Sequence, residues 1–131
     1  MDAKHHSYWI PELFLQPEFI LILRELIEFK AEELKMSKLT IIATIVSKED
    51  KTELVKSEMI KLIDRTRVED GCINYDLHQD NSNPAHFVFH ENWESEAHLE
   101  KHLASQHIAE YMAATEDCIE TFVLNKMTHI A

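Results

Sequence analysis

The sequence predicts an α+β domain, an antiparallel sheet with helices on one face. Three observations lead there. A segment with helical apolar spacing lies between two β-rich segments, the second of these is joined to a third by a short polar turn, and a serine-capped helical stretch leads into a fourth. The first strand is "KLTIIATIVS", rich in β-branched residues and apolar on both faces, with Ile41 and Ile45 on one side and Ile42 and Val46 on the other. Val55, Met59, Leu62, Ile63 and Thr66 then recur at i, i+4, i+7, i+8 and i+11. Asp50 with Glu53 offers an N-terminal cap, and Gly71, the only glycine, suits a left-handed residue that ends a helix. The spacing predicts a helix from about Lys51 to Glu69.

"CINYDLHQD" and "HFVFHENW" flank the polar turn "NSNP" and read as a hairpin. Ser95 caps a helix through about Ala104, Ser105 caps a continuation through about Glu116, and "IETFVLNKMTHI" closes as a strand. Strand, helix, strand, strand, helix, strand is the order of the split βαβ, or ferredoxin-like, unit. Its helices cover only one face of the sheet, whereas these strands carry apolar residues on both. The other face therefore calls for a partner, and a second copy of the chain is the simplest candidate, so a homodimer is expected.

Residues 1–35 stand apart from this domain, which spans 36–131. Pro17 suits a first helical position, and Phe19, Ile20, Leu23, Leu26, Ile27, Ala31 and Leu34 form a broad apolar stripe, predicting a helix from about Pro17 to Lys35. Either this extension packs on the domain or a partner, or Met36 marks the original start; the residues leave both open. The longest apolar run here, Phe19 to Leu23, is too short to span a bilayer or to form a signal core, so no membrane association and a cytoplasmic location are expected. His5 and His6 make too short a pair for an affinity tag.

A net charge of −11, from 24 acids against 13 bases, argues against nucleic acid as a partner, because phosphate binding needs clustered cations. Cys72 and Cys118 match no metal-ligand spacing and are expected to be reduced and buried. One glycine cannot build a phosphate-cradling loop, and no Ser or Cys sits in a nucleophile motif.

Five of the nine histidines lie between His86 and His107. Strand alternation puts Phe87, Phe89, Glu91 and Trp93 on one face and His86, Val88, His90 and Asn92 on the other. Among three aromatic rings, Glu91 is either paired with a neighbour or raised in pKa by desolvation and able to act as acid or base. His98 and His102 are four apart on a helix, but Leu99 stands where a helical metalloprotease motif needs Glu. No cysteine or second histidine pair completes a tetrahedral set, so no metal is expected. His102, beside Leu99 and Leu103, is expected to look inward, and His98, among Glu94, Glu96 and Glu100, to solvent. His107 follows Ser105 at a helix start, which favours a neutral imidazole able to accept a proton; satisfying a backbone group there is an equal alternative. Surface positions suffice for His86 and His129, and His78 and His90 face a partner sheet or solvent. These residues together describe an aromatic cavity with one or two proton-handling groups, suited to an organic molecule that supplies its own reactivity once deprotonated.

The motifs "EDGCINYDLHQD", "FVFHENWESEAHLEKH" and "SQH", in this order and spacing, resemble the antibiotic biosynthesis monooxygenase domain family, especially its small quinol monooxygenase branch, over roughly Lys38 to Met127. The resemblance implies a ferredoxin-like dimer, a dimeric α/β barrel, with one pocket per subunit. It also implies oxidation of a quinol or related phenol by O2 without flavin, haem or metal, hence no cofactor. Matched position by position, the family's Tyr falls on Tyr75, its Glu and Trp on Glu91 and Trp93, and its helix histidines on His102 and His107. The expected roles are His102 or His107 as base, Glu91 as its orienting carboxylate, and Trp93, Tyr75 and Phe89 as substrate-binding walls. Haem-degrading relatives use an Asn on the first strand, where this chain offers only Thr40 and Thr44, so haem degradation is disfavoured. A non-catalytic dimeric binding module, or an isomerase or signal-degrading enzyme on the same fold, are the competing functions.

Overall fold

The computed structural model describes residues 11–131, so the His5, His6 pair lies outside it. The chain divides into two compact units, residues 1–34 and 35–131. In the first, a short turn at Glu12–Leu15 leads into helix α1, Pro17–Met36, with Pro17 at its opening position. Ile20, Leu23, Leu26 and Ile27 of its apolar stripe are all exposed. Among the described residues, no helix is long and apolar enough to cross a membrane.

The second unit runs β1 (Leu39–Ser47), α2 (Thr52–Arg67), β2 (Cys72–Gln79), β3 (His86–Trp93), α3 (Glu96–Leu103), α4 (Gln106–Ala114) and β4 (Ile119–Met127). The sheet order is β2-β3-β1-β4 with every pairing antiparallel, which is the ferredoxin-like arrangement. Period-two alternation sorts β1 cleanly: Ile41, Ala43 and Ile45 are buried under the helices, while Ile42, Thr44 and Val46 are half-buried on the other face. Val55, Met59 and Leu62 of α2 and Leu99 of α3 close over Phe87, Phe89, Trp93 and Tyr75. Each such large apolar side chain contributes roughly 1.5–3 kcal/mol when fully buried.

Three local expectations change. A single 3₁₀ turn, Glu49–Lys51, precedes α2, so Asp50 lies within that turn and no side chain caps the helix. The helix ends at Arg67, with Val68 as its C-cap, not at Glu69. This frees Glu69 into the loop before β2, and Gly71 enters that strand with φ of +82°, a conformation natural to glycine. Ser95 and Ser105 cap α3 and α4 as expected, accepting from the backbone N–H groups of His98 and Ile108. Both cysteines are free; Cys118 is buried but Cys72 only half-buried. Burial first, then the charges of Glu69 and Glu91, push the Cys72 thiol up to about 11, so it stays protonated and unreactive.

Candidate active site

Cross-strand register assembles the site. Ile41 of β1 and Tyr75 of β2 both stand opposite Glu91 of β3, and Ala43 and Leu77 both stand opposite Phe89. All the odd-numbered residues of β1 and β3 face the helices, so Glu91 must lie beneath them. Above it, α3 brings His102, and α4 brings Ile108, Tyr111 and Met112. The space left between is a cavity of about 550 Å³ with walls that also include Ala43, Ile45, Leu62, Tyr75, Phe89, Phe122 and Leu124. Its polar lining comes from Glu91, His102 and the tyrosines, together with Thr115, Glu116 and Asp117 in the turn before β4. Asp117 holds the left-handed conformation there, φ 62°, which Asp tolerates better than most side chains.

Tyr75 and Phe89 stack with ring centroids 4.7 Å apart and make one aromatic wall. The Tyr75 phenol is held far above its ordinary range, by burial first and then by the Glu91 charge. Glu91 is 4% exposed and accepts from the Trp93 indole N–H at 2.9 Å. Burial outweighs that bond and raises Glu91 to about 7. Its carboxyl therefore changes protonation near neutral pH inside an apolar wall.

His102 is 2% exposed and sits among rings, 4.8 Å from Trp93 and 5.3 Å from Tyr75 between centroids. Its Nδ1 lies 2.5 Å from Oε2 of Glu69, and Nε2 of His107 lies 3.2 Å from the same oxygen. Desolvation lowers the His102 pKa, opposed by the hydrogen bond to Glu69 and its charge. The net direction is downward, which favours the neutral imidazole.

Of the expected site residues, Tyr75, Phe89, Glu91 and His102 line the cavity, while Trp93 and His107 do not. Trp93 is completely buried against His102 and reaches the cavity only through its bond to Glu91. His107 faces Glu69. The carboxylate on the imidazole is thus Glu69, where Glu91 was expected. Periodicity had assigned Glu69 to the last turn of a helix, although it is the first residue of the "EDGCINYDLHQD" motif, a signal that could have found it. His98 is also placed differently. Its ring packs on Gly71, where an added Cβ would lie 2.2 Å from it, and its Nδ1 is 2.7 Å from the Ser95 hydroxyl.

The fold and the cavity define a small α+β domain built around an apolar pocket with acid/base groups in its wall. The chain belongs to the antibiotic biosynthesis monooxygenase family, whose sequence profile matches residues 39–114. Among solved structures it is similar to PA3566 from Pseudomonas aeruginosa, at 30% identity over 74% of this chain and 98% of that one, with a TM-score of 0.70. A structure named as an antibiotic biosynthesis monooxygenase matches at 29% identity over 71% and 99% of the two chains, with a TM-score of 0.67. SO0527 from Shewanella oneidensis matches at 29% identity over 70% and 90%, with a TM-score of 0.66. Comparison with curated proteins gave no match.

Proposed function

We propose that this domain is a monooxygenase that oxidises a quinol or related phenol with O2, with the substrate itself supplying the electrons. One observation carries the reading: a neutral imidazole, His102, and a carboxyl that titrates at about 7, Glu91, open into one largely apolar, aromatic cavity of about 550 Å³. His102 takes the proton of a quinol O–H, leaving the electron pair on oxygen, and the electron-rich anion reduces O2. Protonated Glu91 supplies a proton to the reduced oxygen. One quinol and one O2 give a hydroxylated quinone and one water, so the quinol provides all four electrons and no external reductant is required. The stacked Tyr75 and Phe89 offer a flat wall for the ring, and the apolar lining keeps water from the reactive intermediate.

Other features weigh against the competing functions. A phosphorylated substrate needs cations, but among the described residues no Lys or Arg lines the cavity, which carries Glu116 and Asp117. Thr40 and Thr44 point to the opposite sheet face, where Thr40 donates to Asn92, so β1 offers the cavity no amide for haem chemistry. A passive binding module would not require two proton-handling groups to converge on open space.

The direct test is O2 uptake with 1,4-naphthohydroquinone in chelator-treated buffer, measured above its autoxidation. Loss of about 100-fold in kcat in His102→Gln is expected for a general base, and unchanged turnover overturns the assignment. We infer further that the protein works as a cytoplasmic homodimer, with the outer sheet face as its interface. That face holds half-buried Ile42 and Val88 and exposed Val123 and Met127. Light scattering should give twice the 15.4 kDa chain mass, and a monomer at micromolar concentration would refute this.

A further inference from the structure

We propose that Glu69 and His107 are positioning residues that make His102 the single base of the site: Glu69 fixes the tautomer of His102, and His107 holds the same carboxylate oxygen from the other side. This rests on the reading of the cavity as a proton-abstracting site.

The geometry assigns the protons. An ionised carboxylate only accepts hydrogen bonds, and Oε2 of Glu69 faces both imidazole nitrogens, at 2.5 and 3.2 Å. Both nitrogens must therefore donate, which puts a proton on Nδ1 of His102 and on Nε2 of His107. A neutral His102 with its proton on Nδ1 has its lone pair on Nε2. His102 lines the cavity and His107 does not, so only His102 can receive a substrate proton. When it does, the substrate O–H bond breaks, an N–H bond forms at Nε2, and the imidazolium is neutralised by Glu69 without further charge rearrangement. The second donor, His107, bonds the same oxygen at 3.2 Å and holds the carboxylate in place against the His102 ring.

The loop that carries Glu69 is fixed on several sides. Glu69 N–H donates to Thr66 C=O at 2.9 Å, Gly71 C=O accepts from Glu94 N–H at 2.8 Å, and the His98 ring packs on Gly71. Glu69, His102 and His107 also offer one ligand atom each within 4.8 Å of one another, a set able to hold a metal ion. Zinc titration separates a cation held by this trio from a proton held on Nδ1 against Oε2.

The test is long-range ¹H–¹⁵N spectroscopy of the full chain, labelled at the histidine ring nitrogens, at pH 7.5 with EDTA. The expected result is His102 protonated on Nδ1, with that proton far downfield, and loss of the downfield signal in Glu69→Gln. His102 protonated on Nε2, or ring signals that change when EDTA is replaced by zinc at one equivalent, would overturn the proposal. In turnover of 1,4-naphthohydroquinone, Glu69→Gln should lower kcat at least about tenfold with KM within about threefold, and shift the acid limb of the pH profile to lower pH. An equal fall at every pH would mark a merely structural role and count against positioning. Should the wild-type chain turn over no quinol, the functional reading falls, and the tautomer measurement still decides the assignment of Glu69 and His107.

Discussion

Trp93 donates its indole N–H to Glu91 at 2.9 Å from two positions along the same strand face, so a fully buried ring holds the one carboxyl that the sheet places in the cavity wall. The bond favours the ionised form, burial the neutral form, and burial wins. Several outcomes follow from that balance and from the Glu69 loop.

Replacing Trp93 by Phe removes the donor and leaves the carboxyl desolvated. Glu91 then titrates above its wild-type value of about 7. If its protonated form is the working one, the alkaline limb of the kcat/KM profile moves up in pH. The acid limb, set by His102 below the ordinary imidazole range, stays in place. Movement of the alkaline limb to lower pH would contradict the account.

Glu91→Gln should stabilise the fold in a pH-dependent way. Folded Glu91 keeps its proton up to about pH 7, whereas the unfolded carboxyl releases it near 4.5. Folding therefore binds a proton between these values, and wild-type stability falls as pH rises through that window. The variant should gain little at pH 4.5 and up to roughly 3 kcal/mol above pH 7, the upper bound of the linkage. Urea denaturation at pH 5 and pH 8.5 measures the difference, and an equal gain at both would refute it.

Gly71→Ala meets two costs, a positive φ and a Cβ placed 2.2 Å from the His98 ring. A loss of about 1–3 kcal/mol is expected from the backbone alone, and the collision adds to it. Adding His98→Ala should recover the steric part but not the φ part. A double variant no more stable than Gly71→Ala alone would mean that the His98 contact is not limiting.

Charge at the cavity should select substrates. Glu116 and Asp117, with no lining cation among the described residues, disfavour an anion. A sulfonated naphthohydroquinone should show kcat/KM at least about tenfold below the neutral parent at low salt, a gap that narrows as salt screens the charges. Glu116→Gln with Asp117→Asn should recover part of it, and no recovery would remove the two acids from specificity.

A chain beginning at Met36 should fold by itself, because among the described residues every buried side chain lies between Ile41 and Cys118. Cooperative thermal unfolding of residues 36–131 is expected, and a chain without it would assign α1 a structural role.

Much of the fold could be read directly. Strand alternation placed Phe87, Phe89, Glu91 and Trp93 on one face, and the two serine caps marked both late helices, because these patterns depend on backbone geometry alone. The site was only partly legible. Glu69 was hidden by a two-residue overextension of α2, a boundary that helical spacing does not fix. His98 was expected at solvent because its helix neighbours are acidic, but the ring found the space that Gly71 leaves across the chain. His107 and Trp93 lie outside the cavity lining, one behind Glu69 and the other behind Glu91.

By itself the sequence determined which residues share a strand face or a helix turn, the element order, and the presence of an odd carboxylate among aromatic rings. Only the tertiary structure decided that one oxygen of Glu69 meets both His102 and His107, and that His102 alone of the two histidines reaches the cavity. Periodicity is a property of a single element, whereas these contacts join a loop to two helices 33 and 38 residues further along the chain. Their distances are set by how α3 and α4 pack over the sheet.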